Sequence, residues 1–184
     1  MARVEAEPTT AQIEIRVDDV SQLFDTLDPF PFRERDLDGA AEEFIVGWAR
    51  ELPRDAALAI VVHVPSTTEA DAEEVGGALR RYFAYRAEIT SRELRELFRV
   101  GRVALAIGVA VLIVCIGASG AITMGFGRDS IAQVAVEGLI IVGWVANWRP
   151  IEIFLYDWWP IVRRRRLYRR LAEASVQIRP VADT

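Results

Sequence analysis

The chain has very few of the side chains that supply common protein chemistry. Its 184 residues include one cysteine, one histidine and no lysine. A lone cysteine excludes a disulfide within the chain, and no zinc-binding spacing of cysteines and histidines is present. The sequence also lacks a phosphate-cradling glycine loop and a nucleophile with a base at a known spacing. These absences predict a protein that is not an enzyme and that carries no metal or cofactor.

A signal peptide is missing too, because residues 1–10 are polar and acidic where a signal peptide is basic and then apolar. We expect them to be a disordered lead-in to a domain that is not exported. Cys115 lies in an apolar stretch with no base nearby, which indicates an inert thiol. His63 ends another apolar stretch, beside Pro65, and is expected to be structural.

Charge divides the chain into two parts. Residues 1–98 hold 21 Asp and Glu against 11 Arg, a net charge of −10. Residues 99–184 hold 11 Arg against 6 Asp and Glu, a net charge of +5. Such asymmetry points to a membrane or a polyanion near the basic part. We expect an acidic cytoplasmic domain, able to dock a protein partner, that is attached to a membrane segment.

The acidic part, at about residues 11–98, has the pattern of a small α/β domain. Alternating apolar residues predict a strand at 13–17, and an apolar, β-branched run predicts a second strand at 57–64. A helical connection makes the two strands parallel. Because two strands alone form a marginal sheet, we expect neighbouring subunits or heavy helical cover to complete it.

Three helices complete the expected order of strand, helix, helix, strand, helix. A short one follows Asp18 and Asp19, and a long one starts at Asp71 and runs into the membrane. The middle helix is expected to begin at Asp36 or Asp38 and to end at Pro53. Its predicted apolar face consists of Ala41, Phe44, Ile45, Trp48 and Leu52.

Two long apolar stretches follow the acidic part. Residues 103–124 form a charge-free run of 22 residues, and a spanning helix needs about 20. Residues 131–148 add 18 more after a tight turn. The sequence therefore predicts a membrane α-helical hairpin over residues 99–150, with transmembrane helices at about 100–125 and 131–148. A buried helix of a soluble domain is the alternative, which this length and composition disfavour.

Arginines give the expected orientation of the hairpin. Arg99 and Arg102 precede the first span and six arginines follow the second, whereas the turn holds only Arg128 beside Asp129. The positive-inside rule then places both termini in the cytoplasm.

Residues 151–184 are predicted to form an interfacial aromatic segment and a basic cytoplasmic helix. Trp148, Tyr156, Trp158 and Trp159 have the composition of an aromatic belt. The basic helix is expected to bind anionic lipid headgroups at about 1 kcal/mol for each arginine, or to act only as a topology determinant. Nucleic-acid binding is disfavoured beside an acidic domain. The arginines concerned are Arg163, Arg164, Arg165, Arg166, Arg169 and Arg170.

Three charged residues flank the aromatic belt. Arg149 and Glu152 lie three positions apart and are expected to pair if the helix continues past Pro150, with Asp157 nearby. An ion-pair network that fixes the exit angle of the helix is the simpler interpretation. A lipid-headgroup or metal site is the alternative, which carboxylates without His or Cys indicate only weakly.

Glu137 is the most informative residue of the second span, because a carboxylate in hydrocarbon is costly. Gln133, one turn earlier, is its expected hydrogen-bond partner. One hypothesis makes Glu137 a proton- or cation-handling group in an oligomeric pore. The other makes it a protonated residue, or one whose side chain reaches the surface.

Small residues recur at every fourth position of the first span, at Gly117, Ala121 and Gly125. Such a stripe allows helix backbones to approach closely in lipid. We expect it to pack the two helices of the hairpin together, and contact between subunits is the alternative.

Two segments resemble a family of uncharacterised bacterial inner-membrane proteins with two helices and no known activity. One is Trp-Arg-Pro-Ile-Glu-Ile-Phe-Leu-Tyr-Asp-Trp-Trp-Pro-Ile at 148–161, and the other is Pro-Phe-Arg-Glu-Arg-Asp-Leu-Asp at 31–38. The resemblance implies a bacterial inner-membrane protein and no mechanism. Residues 33–38 also form a loop whose charges are explained by helix capping and local pairing.

These observations favour a non-enzymatic membrane protein that assembles into a homo-oligomer, as a bundle or a cation- or proton-conducting pore with a cytoplasmic cap. One alternative is a scaffold or accessory subunit of a larger membrane complex. Another is a membrane-bound enzyme or lipid-binding protein that uses Arg149, Glu152 and Asp157.

Overall fold

A computed structural model of the chain describes residues 10–25, 36–65, 72–126 and 129–181. It divides into two compact units. The sheet unit takes the described residues of Met1–Ile89 and Arg163–Thr184, and the hairpin unit takes those of Thr90–Val162. The C-terminal helix was expected to lie outside the acidic domain, yet residues from Arg163 onward belong to the same unit as the N-terminal strands.

The sheet unit is built on three parallel strands, β1 (Thr10–Arg16), β2 (Ala57–Pro65) and β3 (Ser175–Val181), in the order β1-β2-β3. Ile13 of β1 pairs with Ile60 of β2, which pairs with Val176 of β3. Strands β1 and β2 lie where the apolar patterns predicted them, and they are parallel as expected.

The third strand corrects the sequence analysis. We expected two strands whose sheet is completed by neighbouring subunits, but the C-terminal segment of the same chain supplies β3. The strand is hard to detect in the sequence because it is a short edge strand with a proline at position 180. The incomplete sheet is therefore not an argument for self-assembly.

In the sheet unit the predicted starts of the first two helices and the predicted end of the second are confirmed. A 3₁₀ turn at Val20–Leu23 begins after Asp19, whose Oδ1 accepts the Ser21 N–H at 2.7 Å. Helix α1 (Gly39–Glu51) begins after Asp38, whose side chain accepts two backbone N–H groups, and it ends before Pro53. Such caps are the usual partners of the free N–H groups at a helix start.

The buried face of α1 differs from the predicted one. Ile45, Val46 and Ala49 face the core, whereas Phe44 and Trp48 are 44% and 49% exposed. The prediction was correct for Ile45, and Ala41 and Leu52 are partly buried against the core, but it was wrong for Phe44 and Trp48. Buried residues of α2 and α5 complete the core, among them Leu79, Phe83, Leu167 and Leu171.

The remaining elements are helical. Helix α2 (Ala72–Phe126) is followed by α3 (Ser130–Ala146), α4 (Trp148–Glu152), a π-helical turn (Ile153–Asp157) and α5 (Trp158–Ala172). Helix α2 and the helical run Ser130–Ala172 are each long and apolar enough to cross a membrane. Only 17% and 11% of their apolar windows are buried within the chain, which is unlike the core helix of a soluble domain.

Several expectations fall outside the described residues. They are residues 1–9 of the expected disordered lead-in, Leu27 of the short helix, the loop charges at 33–35, the helix start at Asp71, and Gly127 and Arg128 of the turn. Thr10, the last residue of the expected lead-in, instead begins β1.

Candidate functional site

Helices α2 and α3 pack through a narrow seam of small residues in the hairpin unit. A Cβ atom at Gly108 would lie 2.9 Å from the Ala146 carbonyl oxygen, and one at Gly143 would lie 2.8 Å from Leu112 Cδ1. Cys115, on the same side of α2, is only 5% exposed. The seam therefore needs glycine at Gly108, where backbone sets the limit, whereas at Gly143 the nearest atom is the end of a flexible leucine side chain.

Asn147 adds hydrogen bonds to this seam. Its side-chain amide donates to the Gly108 carbonyl oxygen at 3.0 Å and to the Gly143 carbonyl oxygen at 2.9 Å. The first bond joins the two helices directly, and the second fixes the side chain to its own helix. Sequence analysis missed Asn147, although a polar amide at the end of an apolar helix is a signal for interhelical bonding.

The small-residue stripe lies away from the seam. Nothing lies within 4 Å of a Cβ built at Gly117 or Gly125, and Ala121 is exposed. Gly117 is nine residues from Gly108, about two and a half turns, so the two glycines are on opposite sides of α2. The expectation that the stripe packs the hairpin together was wrong. Contact between subunits stays a prediction.

Glu137 and Gln133 are also outside the seam. The Gln133 side-chain amide donates to Glu137 Oε1 at 3.3 Å, which confirms the predicted pairing, and both residues are exposed. Ala132 and Gly143 are the buried positions of α3. The exposed residues Gly117, Ala121 and Gly125 of α2 and Gln133 and Glu137 of α3 are all outside the seam, and we call these positions of the two helices together the outer face of the hairpin.

The charges beside the aromatic segment form one network. Arg149 Nη1 lies 2.9 Å from Glu152 Oε2 and 3.2 Å from Asp157 Oδ2, so one guanidinium joins both carboxylates. Pairing of Arg149 with Glu152 confirms that the chain stays helical past Pro150. Among the described residues no group of three or more His, Cys, Asp and Glu could hold a metal ion.

The aromatic segment packs against the start of the apolar part of α2. A Cβ at Gly101 would lie 2.8 Å from Ile153 Cγ2, and the ring of Phe98 stacks on Phe154 with centroids 6.1 Å apart. Trp158 donates its indole N–H to the Phe154 carbonyl oxygen at 2.9 Å. Trp159 is 58% exposed, with its ring against that of Trp158.

The six arginines of α5 do not share one environment. Arg170 donates to the carbonyl oxygens of Pro53 and Ala56, at 2.7 and 2.9 Å, and so ties α5 to the loop before β2. Arg165 is half-buried, whereas Arg163, Arg164, Arg166 and Arg169 are exposed. The expectation of a uniform headgroup surface is wrong for Arg170, because backbone carbonyls already occupy its guanidinium.

A polar network inside the sheet unit was not predicted. Glu42 Oε1 accepts from Arg86 Nε and from the Tyr168 hydroxyl, both at 3.0 Å, and Oε2 accepts from the Tyr82 hydroxyl at 2.7 Å. Burial and the bond to Glu42 raise the pKa of Tyr82 and of Tyr168. The sequence did contain a signal for this network. Glu42 lies one helical turn before Ile45, which is buried, so the two side chains share one side of α1.

The chain matches no protein-family model, no curated protein and no solved structure. Its function is therefore inferred from the contacts, the burial and the charges of its own residues.

Proposed function

We propose that this protein is a non-enzymatic membrane protein of the bacterial inner membrane that assembles into a homo-oligomer through the outer face of its hairpin. One observation carries the proposal. Glu137 and Gln133 pair with each other on an apolar helix, on a side that α2 does not cover. Val134 and Ile141, which are 69% and 62% exposed, share that helix with them.

The physical reason is the cost of a carboxylate in lipid. A charged residue in a spanning helix costs about 2.5–3.5 kcal/mol on insertion scales, and it is found facing a bundle interior or water. Gln133 satisfies one oxygen of Glu137, and the hairpin supplies no other helix on that side. A second copy of the hairpin would cover the pair, and the stripe at Gly117, Ala121 and Gly125 would let its backbone approach closely.

More specifically, we propose that the homo-oligomer forms a pore. In a ring of hairpins, the Glu137 side chains would form a ring of carboxylates, which is the usual lining of a cation-conducting path. In such an assembly the sheet units would form the cytoplasmic cap, since arginines lie beside both cytoplasmic ends of the spans.

The orientation that we propose has both termini in the cytoplasm and only the turn near 125–130 outside. Reporter fusions at residue 1, near Arg128 and at Thr184 test it. An external N-terminus would contradict the membrane orientation, because the arginine bias would then have been misinterpreted.

A scaffold subunit of a larger complex is the second candidate. Phe44 and Trp48 favour it, because they form an exposed aromatic pair, with ring centroids 6.2 Å apart, on the acidic part of the chain. Such a surface suits a basic protein partner with apolar anchors. An enzyme or lipid site at Arg149 is less favoured, since Glu152 and Asp157 both pair with its guanidinium.

Mass measurement of the purified chain in detergent separates the two candidates. A discrete multiple of the monomer mass, kept on dilution, is expected for self-assembly. A monomer that also fails to crosslink in bilayers would contradict the homo-oligomer and favour the scaffold.

A further inference from the structure

A row of arginines occupies α2 just before its apolar part. Arg92, Arg95, Arg99 and Arg102 are spaced by three or four residues, so they lie along one side of the helix. They line an open groove of about 780 Å³ in the hairpin unit, together with Glu96 and Phe98. The described lining therefore holds four arginines and one glutamate.

The one carboxylate of the groove neutralises little of this charge. Glu96 pairs with Arg99 at 2.8 Å, but their side chains are 55% and 70% exposed, and such surface pairs contribute little. The Nε–H of Arg95 donates to the Ser91 carbonyl oxygen at 3.4 Å. This bond does not involve the two terminal nitrogens of the Arg95 guanidinium. Arg102 is exposed. An anion would therefore find several donors in the groove.

One wall of the groove is held firmly. Phe98 lines the groove and stacks on Phe154. The neighbouring Gly101 is in close contact with Ile153, and the Ile153 side chain is fully buried. The ring of Phe98 therefore gives the groove a fixed apolar side next to the exposed arginines.

The position of the groove along the chain identifies the kind of anion, provided that the hairpin spans a membrane as we propose. Arg102 is followed directly by the charge-free residues 103–124. The polar layer on each side of a bilayer is about 5–7 Å thick, and a helix rises 1.5 Å per residue. Arg99 and Arg102 would thus lie at the level of lipid phosphates, whereas Arg95 and Arg92 would lie about 10 and 15 Å farther from the hydrocarbon than Arg102.

We propose that this groove binds the headgroup of an anionic phospholipid, with Arg99 and Arg102 on the phosphate and Phe98 beside the glycerol region. Basic pockets at the cytoplasmic ends of spanning helices bind such headgroups. The site is distinct from the arginines of α5.

Native mass spectrometry of the full-length protein in non-ionic detergent tests the proposal. The probe is a diphosphatidylglycerol, with phosphatidylcholine as the reference lipid. The double variant Arg99→Gln with Arg102→Gln should bind the probe about 30-fold more weakly, from about 1 kcal/mol for each arginine and 1.4 kcal/mol for each factor of ten.

The matched control is Arg16→Gln with Arg179→Gln, which removes the same charge from exposed positions of β1 and β3. It should leave the affinity unchanged, and equal weakening by both double variants would overturn the proposal. Greater weakening by Arg163→Gln with Arg166→Gln would assign the lipid to α5 and overturn it as well.

A gain of binding guards against a variant that merely misfolds. Glu96→Gln raises the positive charge of the groove and should strengthen probe binding about threefold to tenfold, again on about 1 kcal/mol for one charge. No gain would count against the groove. Displacement of the probe by inorganic pyrophosphate at similar concentrations would show a site for free phosphates and overturn the lipid assignment.

Failure of the groove can be told apart from failure of the membrane proposal. A chain that does not float with phosphatidylcholine vesicles contradicts the membrane proposal. A chain that floats but binds both lipids equally contradicts only the groove.

Discussion

The side-chain amide of Asn147 donates to the carbonyl oxygen of Gly108, 39 residues earlier in the chain, at 3.0 Å. This bond is possible because Gly108 has no side chain, so that the backbone of α2 comes close to the end of α3. Hydrogen bonds between helices in membranes contribute about 0.6 to 2 kcal/mol. The pair therefore combines close packing and a directional bond at one point of the seam.

Asn147→Ala should destabilise the hairpin by about 1 kcal/mol, because the bond to the other helix is lost. Unfolding of the purified protein by increasing fractions of denaturing detergent measures the change. Thr123→Ala is the control, since it removes only a bond to Ser119 within the same helix. Equal loss in the two variants would show that Asn147 does not join the helices.

Gly108→Ala and Gly117→Ala should change stability in opposite directions. Alanine favours a helix over glycine by about 1 kcal/mol at either position. At Gly108 the added methyl group meets the backbone at Ala146, whereas at Gly117 it meets nothing within 4 Å. The same unfolding assay should show a loss of stability for Gly108→Ala and a gain of up to about 1 kcal/mol for Gly117→Ala. A stable Gly108→Ala variant would mean that the seam adjusts more easily than its geometry indicates.

Ala121→Leu should weaken self-association more than Val111→Leu does. Ala121 lies in the exposed stripe that we propose as the contact between subunits, and leucine there keeps backbones apart. The fraction of oligomer in detergent, measured by mass at several dilutions, reports the difference. Similar behaviour of the two variants would place the stripe against lipid.

Glu137→Gln separates the pore from a packing role. Glutamine keeps the shape and removes the charge, so a pore should keep its subunit number and lose cation conductance in reconstituted bilayers. An unchanged current would show that Glu137 does not line a conducting path. Loss of the oligomer would instead make Glu137 a hydrogen-bonding group between helices. Wild-type protein that carries no current but binds another membrane protein would favour the scaffold.

The sheet unit should lose stability at alkaline pH through Tyr82. Its pKa is raised by burial and by the bond to Glu42, so the folded state keeps a proton that the unfolded state releases. The associated stability is complete below about pH 10, the ordinary tyrosine pKa, and it decreases as the pH rises further. Thermal melts at pH 8 to 11, followed by circular dichroism, should show this decrease.

Tyr82→Phe should weaken that alkaline decrease and cost about 1–3 kcal/mol at neutral pH, because Glu42 Oε2 loses its donor. Tyr85→Phe is the control on the same helix, where the ring is 54% exposed. Part of the alkaline decrease should remain in Tyr82→Phe, since the pKa of Tyr168 is raised as well. An identical pH profile for Tyr82→Phe and the wild type would contradict this role of Tyr82.

Local signals in the sequence were sufficient where one residue and its neighbours decide the structure. Asp38 caps α1, Pro53 follows its end, and the β-branched run before Pro65 forms β2, as the sequence predicted. Signals were insufficient where the partner is far away in the chain. Strand β3 alternates apolar and polar residues only over Val176 to Arg179 before Pro180, and its partner β2 lies far earlier in the chain.

The same limit applies to the candidate site. The pairing of Gln133 with Glu137 and of Arg149 with Glu152 was predictable, since each pair lies within one turn of a helix. The sequence did not indicate which of the two small-residue sides of α2 packs against α3. Glycine at 108 and glycine at 117 look alike in the sequence, and only the position of α3 distinguishes them.

Sequence alone determined the two long apolar helices, the two N-terminal strands and the helix caps, because length, composition and nearest neighbours fix them. Tertiary structure decided that the C-terminal segment completes the sheet, that Gly108 and not Gly117 lies in the seam, and that Arg170 is bound to backbone carbonyls. Tertiary structure also decided the polar network in which Glu42 bonds to Tyr82, Arg86 and Tyr168. Each of these depends on contacts between residues about 35 or more positions apart, and no local pattern records which distant groups will meet.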